Sequence, residues 1–168
     1  MSVHEHKQKG KKSIRCCVIT VSDTRDESTD TSGQTIKKFL GDEGHQAAGY
    51  QIVKDEPLQI ETALNQALAR TDVDAVIVNG GTGIAPRDGT YEVVSRCLEK
   101  KLDGFGEIFR YLSFLDIGSA AIMSRAAAGS ARGKILISLP GSKGAVTLAM
   151  EKLILPEIRH MVSQLQGQ

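Results

Sequence analysis

The segment AVIV at Ala75–Val78 has no polar face. Successive side chains of a strand point to opposite sides of a sheet, so an all-apolar run must be covered on both. That requirement points to a parallel sheet held between two helical layers. The rest of the chain supplies matching parts. Ile14–Ser22 is a β-rich run, Gln46–Val53 reads as a second strand, and KILISLP at Lys134–Pro140 is a further interior strand. Between these runs the apolar spacing becomes helical. Ile36, Phe39 and Leu40 mark one helix, with Gly44 placed to end it. Pro57 opens another at a tolerated first-turn position, and Ile60, Ala63, Leu64, Ala67 and Leu68 form its buried stripe. Further helices are predicted near Thr90–Glu99, across Gly104–Ile117 and from about Ser142. Pro156 restarts a terminal helix with Ile158, Met161, Val162 and Leu165 on one face. The predicted fold is α/β, a three-layer α/β/α domain with a mostly parallel central sheet.

A chain of 168 residues can bury one continuous core without staples. Residues 13–168 are assigned to that domain, and residues 1–12 to a flexible basic tail carrying Lys7, Lys9, Lys11 and Lys12. A formal charge of +1 leaves no large positive field for a general nucleic-acid partner. Cys16, Cys17 and Cys97 make no CxxC pair, and with no secretory signal they read as reduced thiols of a cytoplasmic protein. Cys16 and Cys17 are neighbours in a strand, so they should face opposite layers. The four histidines lack zinc-ligand spacing. No apolar stretch approaches the ~20 residues that span a bilayer, so no membrane partner is expected.

In open α/β sheets ligands bind beyond the carboxyl ends of the strands. Four segments should lie there: SDTRDESTDTSG, KDEP, NGGTGIAPRDGT and LPGSKGA. Each carries Asp, Gly, Ser or Thr at short spacing, and glycine N–H groups at a helix start can cradle an anion. Generic motifs fit poorly. GTGIAP has Pro86 where a dinucleotide fingerprint has its third glycine, and it follows the third strand rather than the first. GSARGKIL resembles a phosphate loop but lacks a spacer residue and leads into a strand. The residues alone therefore leave phosphate or nucleotide binding open beside a purely structural turn. Asp55 and Asp88 both fall just past predicted strands. Either they cap helices, or they hold a divalent cation against bound phosphates. Arg87, Thr82 and Lys143 nearby favour the metal–phosphate centre.

Five motifs in order, TSG (Thr31–Gly33), NGGTGIAPRD, GFGEIFR (Gly104–Arg110), SRAAAG (Ser124–Gly129) and LPGS (Leu139–Ser142), resemble the molybdopterin-binding MoaB/MogA family. GFGEIFRYLSFLDIG looks more like the MoaB branch. The resemblance implies the three-layer fold and a role in molybdenum cofactor biosynthesis. It further implies adenylylation of molybdopterin by Mg-ATP with release of pyrophosphate, before metal insertion. Asp55 and Asp88 match the two family aspartates and would be catalytic, holding Mg2+. Gly80, Gly81, Thr82 and Gly83 would orient phosphates through their N–H groups. Ser22, Asp23, Ser32 and Gly33 would complete the pocket wall, and Ser124, Pro140, Gly141 and Ser142 would meet the pterin phosphate or its surroundings. Where family adenylyltransferases often read TTGGTG, this chain has VNGGTG, with Asn79.

Four functions compete. An adenylyltransferase needs both aspartates, whereas a non-catalytic molybdopterin carrier has no need of Asp55. A molybdenum insertase uses a related domain within a longer chain. A dinucleotide-dependent oxidoreductase is weakened by Pro86. The resemblance also implies a homo-oligomer, a trimer or a hexamer. The stretch FGEIFRYLSFLDIG adds a hint by gathering Phe105, Phe109, Tyr111 and Phe114, which suits an interface or a pocket wall as well as a core.

Overall fold

The structure is a computed structural model that describes residues 13–167. The tail assigned to residues 1–12 lies outside the described residues. Six strands form one sheet: β1 (Arg15–Val21), β2 (Gln46–Val53), β3 (Ala75–Asn79), β4 (Lys100–Lys101), β5 (Ala127–Ala131) and β6 (Lys134–Leu139). Their order across the sheet is β2-β1-β3-β6-β5-β4. The first four in that order run parallel, β5 joins antiparallel to β6, and β4 joins antiparallel to β5 at the edge. Among the described residues six α-helices accompany them: α1 (Thr31–Asp42), α2 (Pro57–Ala69), α3 (Thr90–Cys97), α4 (Asp103–Ile117), α5 (Lys143–Ala149) and α6 (Leu155–Gln166).

The alternation of the strands builds two cores, as the all-apolar β3 requires. Ala75 and Ile77 join Cys16, Val18, Ile135 and Ile137 on one face, beneath Ile36, Phe109, Val146, Ile158 and Val162. Val76 and Val78 join Cys17, Ile19 and Leu136 on the other face, against α2 and α3. The two adjacent cysteines thus enter opposite layers. The α2 stripe Ile60, Ala63, Leu64, Ala67 and Leu68 is buried throughout. At about 1.5–3 kcal/mol for each large side chain, that face anchors its layer. The architecture is the three-layer α/β/α sandwich expected.

Two features differ from the sequence reading. SRAAAG contributes an interior strand, β5, although Ala, Gly and Ser have weak strand preference. Register with β6 makes it one, through a two-residue hairpin whose Arg132 and Gly133 have φ of +48° and +73°. Pro156 stands in the first turn of α6, as expected, but no loop separates that helix from α5. A π-helical turn at Met150–Ile154 carries α5 into α6, and this wide turn accommodates a proline ring that cannot donate a helical hydrogen bond.

Candidate functional site

All four proposed loops leave the carboxyl ends of the parallel strands β1, β2, β3 and β6. The loop after β3 is held by its glycines. Gly80 and Gly81 have φ of +94° and +64°, and a Cβ on Gly80 would lie 2.2 Å from the Val21 carbonyl oxygen. Gly80 donates its N–H to the Leu139 carbonyl at 3.0 Å. That corrects one assignment: Gly80 fastens the loop to β6 and has no N–H left for a phosphate. The N–H groups of Gly81, Thr82 and Gly83 have no acceptor among the described residues.

Arg125, one residue past Ser124, fixes the far side of this loop. Its guanidinium donates to the Thr82 carbonyl at 2.8 Å and the Gly83 carbonyl at 2.5 Å, pairs with Glu92, and lies 4.8 Å from the centre of the Tyr91 ring. In a trans peptide the C=O and the following N–H point in opposite directions. Holding those two carbonyls toward Arg125 therefore turns the N–H groups of Gly83 and Ile84 away from it.

The two aspartates meet beside this loop. Asp55 is 8% exposed, with Asp88 and Asp23 as neighbouring carboxylates. Its carboxyl is raised above the ordinary carboxylate pKa by burial and by the charges of Asp88 and Asp23, against the opposing hydrogen bond from the Gly89 N–H. Asp88 accepts from the Ala85 N–H at 2.9 Å. Neither aspartate caps its helix. The N-cap residues of α2 and α3 are Glu56 and Gly89, and neither end has a side-chain cap among the described residues. The helix-cap reading of Asp55 and Asp88 is thereby set aside.

The recess beside Gly81 is lined by polar groups that only a residue without a side chain can approach. A Cβ at Gly81 would lie 2.3 Å from Thr90 Oγ1 and 2.7 and 2.9 Å from the two Asp55 carboxylate oxygens. Thr90 Oγ1 is fully buried and has no hydrogen-bond partner among the described residues. An orphaned hydroxyl and a buried carboxylate around one small space fit a cation or its bound water. Among the described residues no three His, Cys, Asp or Glu side chains form a metal-holding group. A divalent cation here would take one or two carboxylates and complete its shell with phosphate oxygens and water.

The remaining predicted residues shape the walls. Ser22 Oγ accepts from the N–H groups of Thr24 and Arg25 at 3.3 and 3.1 Å, which turns the chain after β1. Asp23 accepts from the Asp55 N–H at 3.2 Å and is paired with Arg87 at 2.7 Å, which holds its carboxyl below the ordinary range. Ser32 is buried and donates to the Gly141 carbonyl at 2.7 Å. Its hydroxyl therefore ties the loops after β1 and β6 together. Gly141 comes so close to the glycine loop that a Cβ would lie 2.9 Å from the Gly80 Cα. Pro140 links Gly141 to β6, and Ser142 caps α5 by accepting from the Ala145 N–H at 3.2 Å. A Cβ on Gly33 would lie 2.1 Å from Asp30 Oδ2. Ser124 precedes Arg125 beyond the opposite flank of the loop. Asn79 is wholly buried and donates its amide to Thr20 Oγ1 at 2.9 Å, so it belongs to the sheet end.

Sequence reasoning missed three side chains. Arg25 donates to Ser32 Oγ and to the Gly141 carbonyl, both at 3.2 Å. Asp30 caps α1 through the Gly33 N–H at 2.9 Å and accepts from the Tyr50 hydroxyl at 2.7 Å. Arg125, beside the predicted Ser124, is the third, and it holds the Thr82 and Gly83 carbonyls. The available signals were an arginine among the acidic residues of the first loop and another inside SRAAAG.

A glycine loop, two converging carboxylates and serine-bearing turns gather at one sheet edge of an α/β protein. The chain matches the family described as "Probable molybdopterin binding domain" over residues 17–160. It is 53% identical over 166 residues to molybdenum cofactor biosynthesis protein B of Halalkalibacterium halodurans, covering 98% of each chain. A crystal structure of a molybdenum cofactor biosynthesis protein B superposes with a TM-score of 0.91 at 50% identity, over 94% of this chain and 98% of that one. The tungsten cofactor synthesizing protein MoaB of Pyrococcus furiosus superposes with a TM-score of 0.83 at 36% identity, over 93% and 99% of the two chains. This chain belongs to the molybdopterin-binding MoaB/MogA family, on its MoaB branch. No helix among the described residues is long and apolar enough to cross a membrane.

Proposed function

We propose that this protein serves molybdenum cofactor biosynthesis by binding molybdopterin and adenylylating it with Mg-ATP, releasing pyrophosphate. The observation that carries this reading is the Asp55–Asp88 pair beside Gly81, with an orphaned Thr90 hydroxyl in the same recess. In the reaction an oxygen of the molybdopterin phosphate bonds to the α-phosphorus of ATP as the bond to pyrophosphate breaks. The nucleophile is already anionic, so no side chain has to remove a proton. The difficulty is bringing two polyanions into line. Mg2+ bound at Asp55 and Asp88 would neutralise charge that develops on the phosphate oxygens. The free N–H groups of Gly81, Thr82 and Gly83 orient phosphates, and Arg125 keeps that loop in register. Arg25 and Ser32 hold the loop after β6 against the first loop.

A non-catalytic carrier is the second reading. It requires the loops but gives no reason to bury a carboxylate next to another. Incubation with molybdopterin, ATP and Mg2+, followed by detection of adenylylated pterin and pyrophosphate, tests the choice. Pterin binding without either product would leave the carrier. The same proposal includes a cytoplasmic homo-oligomer, a trimer or hexamer. An exposed apolar strip of Ile108, Tyr111, Phe114 and Leu115 on α4 supports the oligomer. Residues 1–12 are proposed as a dispensable tail.

A further inference from the structure

Arg110 of α4 is half-buried and forms no hydrogen bond or ion pair among the described residues. A guanidinium drawn part-way out of water without a partner carries an uncompensated desolvation cost. Its Nη1 and Nη2 atoms lie 2.9 and 3.2 Å from the point a Gly106 Cβ would occupy, and that point is 2.8 Å from the Ala126 carbonyl oxygen. Glycine at 106 therefore leaves the space into which the arginine folds. Arg110 lines a cavity of about 70 Å³ together with Tyr91 and Ser95 of α3, Lys101 of β4 and the small residues Ala126–Ala128. Asp103 lies on the same lining, yet neither Lys101 nor Arg110 forms an ion pair among the described residues.

We propose that this cavity is a second anion site, separate from the glycine-loop crevice, which takes one tetrahedral oxyanion of the phosphate class. Its donors come from three elements: a planar fork on α4, an ammonium on β4, and two hydroxyls on α3. Such a spread suits a tetrahedral ion with oxygens on several sides, whereas a planar carboxylate would engage the arginine fork alone. Water could satisfy the hydroxyls but would leave the Arg110 guanidinium without an ionic partner among the described residues. The ring of Tyr91 also carries Arg125, the residue that clamps the glycine loop. The site thus borders the glycine loop without using any of its residues, and it does not depend on the adenylylation reading.

Isothermal titration of the full chain with inorganic phosphate, at fixed ionic strength against chloride, tests this. Saturable binding is expected. It should weaken by ~tenfold or more in Arg110→Gln and several-fold in Ser95→Ala, losses on the scale of hydrogen bonds to a charged group. Arg25→Gln and Asp88→Asn, which alter the crevice, should leave this binding intact. Adenosine monophosphate in the same titration distinguishes the sources. Tighter, Arg110-dependent binding marks a nucleotide-borne phosphate, and binding no tighter than inorganic phosphate marks the free ion. If Arg110→Gln fails to fold, Ser95→Ala and Lys101→Gln carry the test. No saturable binding by the wild type, or unchanged binding in the folded variants, overturns the proposal.

Discussion

Arg125 Nε donates to the Thr82 carbonyl at 2.8 Å across 43 residues of chain, joining the turn before β5 to the loop after β3. The same guanidinium spans the Gly83 carbonyl and Glu92. Arg125→Gln should therefore loosen the loop without opening either core. Pterin affinity should fall about tenfold, with about 1–3 kcal/mol lost in denaturant unfolding. Arg125→Lys should recover only part of each, since a single ammonium cannot span both carbonyls and the carboxylate. Equal affinities in all three proteins would show that the clamp plays no part in binding.

Asp88→Asn separates charge from shape. Asparagine Oδ1 can still accept from the Ala85 N–H, so the loop and the melting temperature should be preserved. Pterin binding should survive through the other loops. Adenylyl transfer should fall by two or more orders of magnitude, about 3 kcal/mol of transition-state stabilisation. Turnover near the wild-type rate would end the metal-site reading.

Much of this site was legible in the sequence, for definable reasons. The α2 stripe and the apolar β3 announce their burial through period alone, and a parallel sheet then assigns all four loops to one edge. Asp55 and Asp88 are 33 residues apart in the chain, but both follow strands of that sheet, so topology brings them together. What stayed hidden depends on tertiary contact. AAGSA has little strand preference and becomes β5 only by pairing with β6. Whether Gly80 spends its N–H on Leu139, or Ser32 its hydroxyl on Gly141, depends on which loop lies opposite. The aromatic-rich segment divides the same way. Phe109 is fully buried while Tyr111 and Phe114 are 63% and 55% exposed, a split that helical period permits but cannot assign to faces.

Gly81→Ala should damage the recess directly. Alanine is disfavoured at φ +64°, and its Cβ would enter the space between Thr90 Oγ1 and the Asp55 carboxylate. A loss of about 1–2 kcal/mol in unfolding free energy is expected from the backbone alone. Mn2+, used as a spectroscopic substitute for Mg2+, should bind far more weakly even where the variant remains folded. Wild-type Mn2+ affinity in a folded Gly81→Ala protein would move the cation away from this recess.

The strongest expectation for assembly concerns the outer face of α4. Gly106, Phe109 and Ser113 of that helix are buried, whereas Ile108, Tyr111, Phe114 and Leu115 are each more than half exposed. The helix is thus apolar on both flanks, and its outer strip continues into Ile117 and Ile122, 54% and 78% exposed. Large contiguous apolar patches are uncommon on monomers, and this one suits a second copy of the chain. Light scattering at micromolar concentration should return a multiple of the 18.1 kDa chain mass. In an isolated monomer, Ile108→Asp and Leu115→Asp would place charge in water at little cost to folding. In an oligomer they would bury unpaired carboxylates and drive dissociation. The double variant should therefore run as a folded monomer with native secondary structure by circular dichroism. A wild-type monomer would remove the oligomer from the proposal, and an intact oligomer in the double variant would assign the interface to another face.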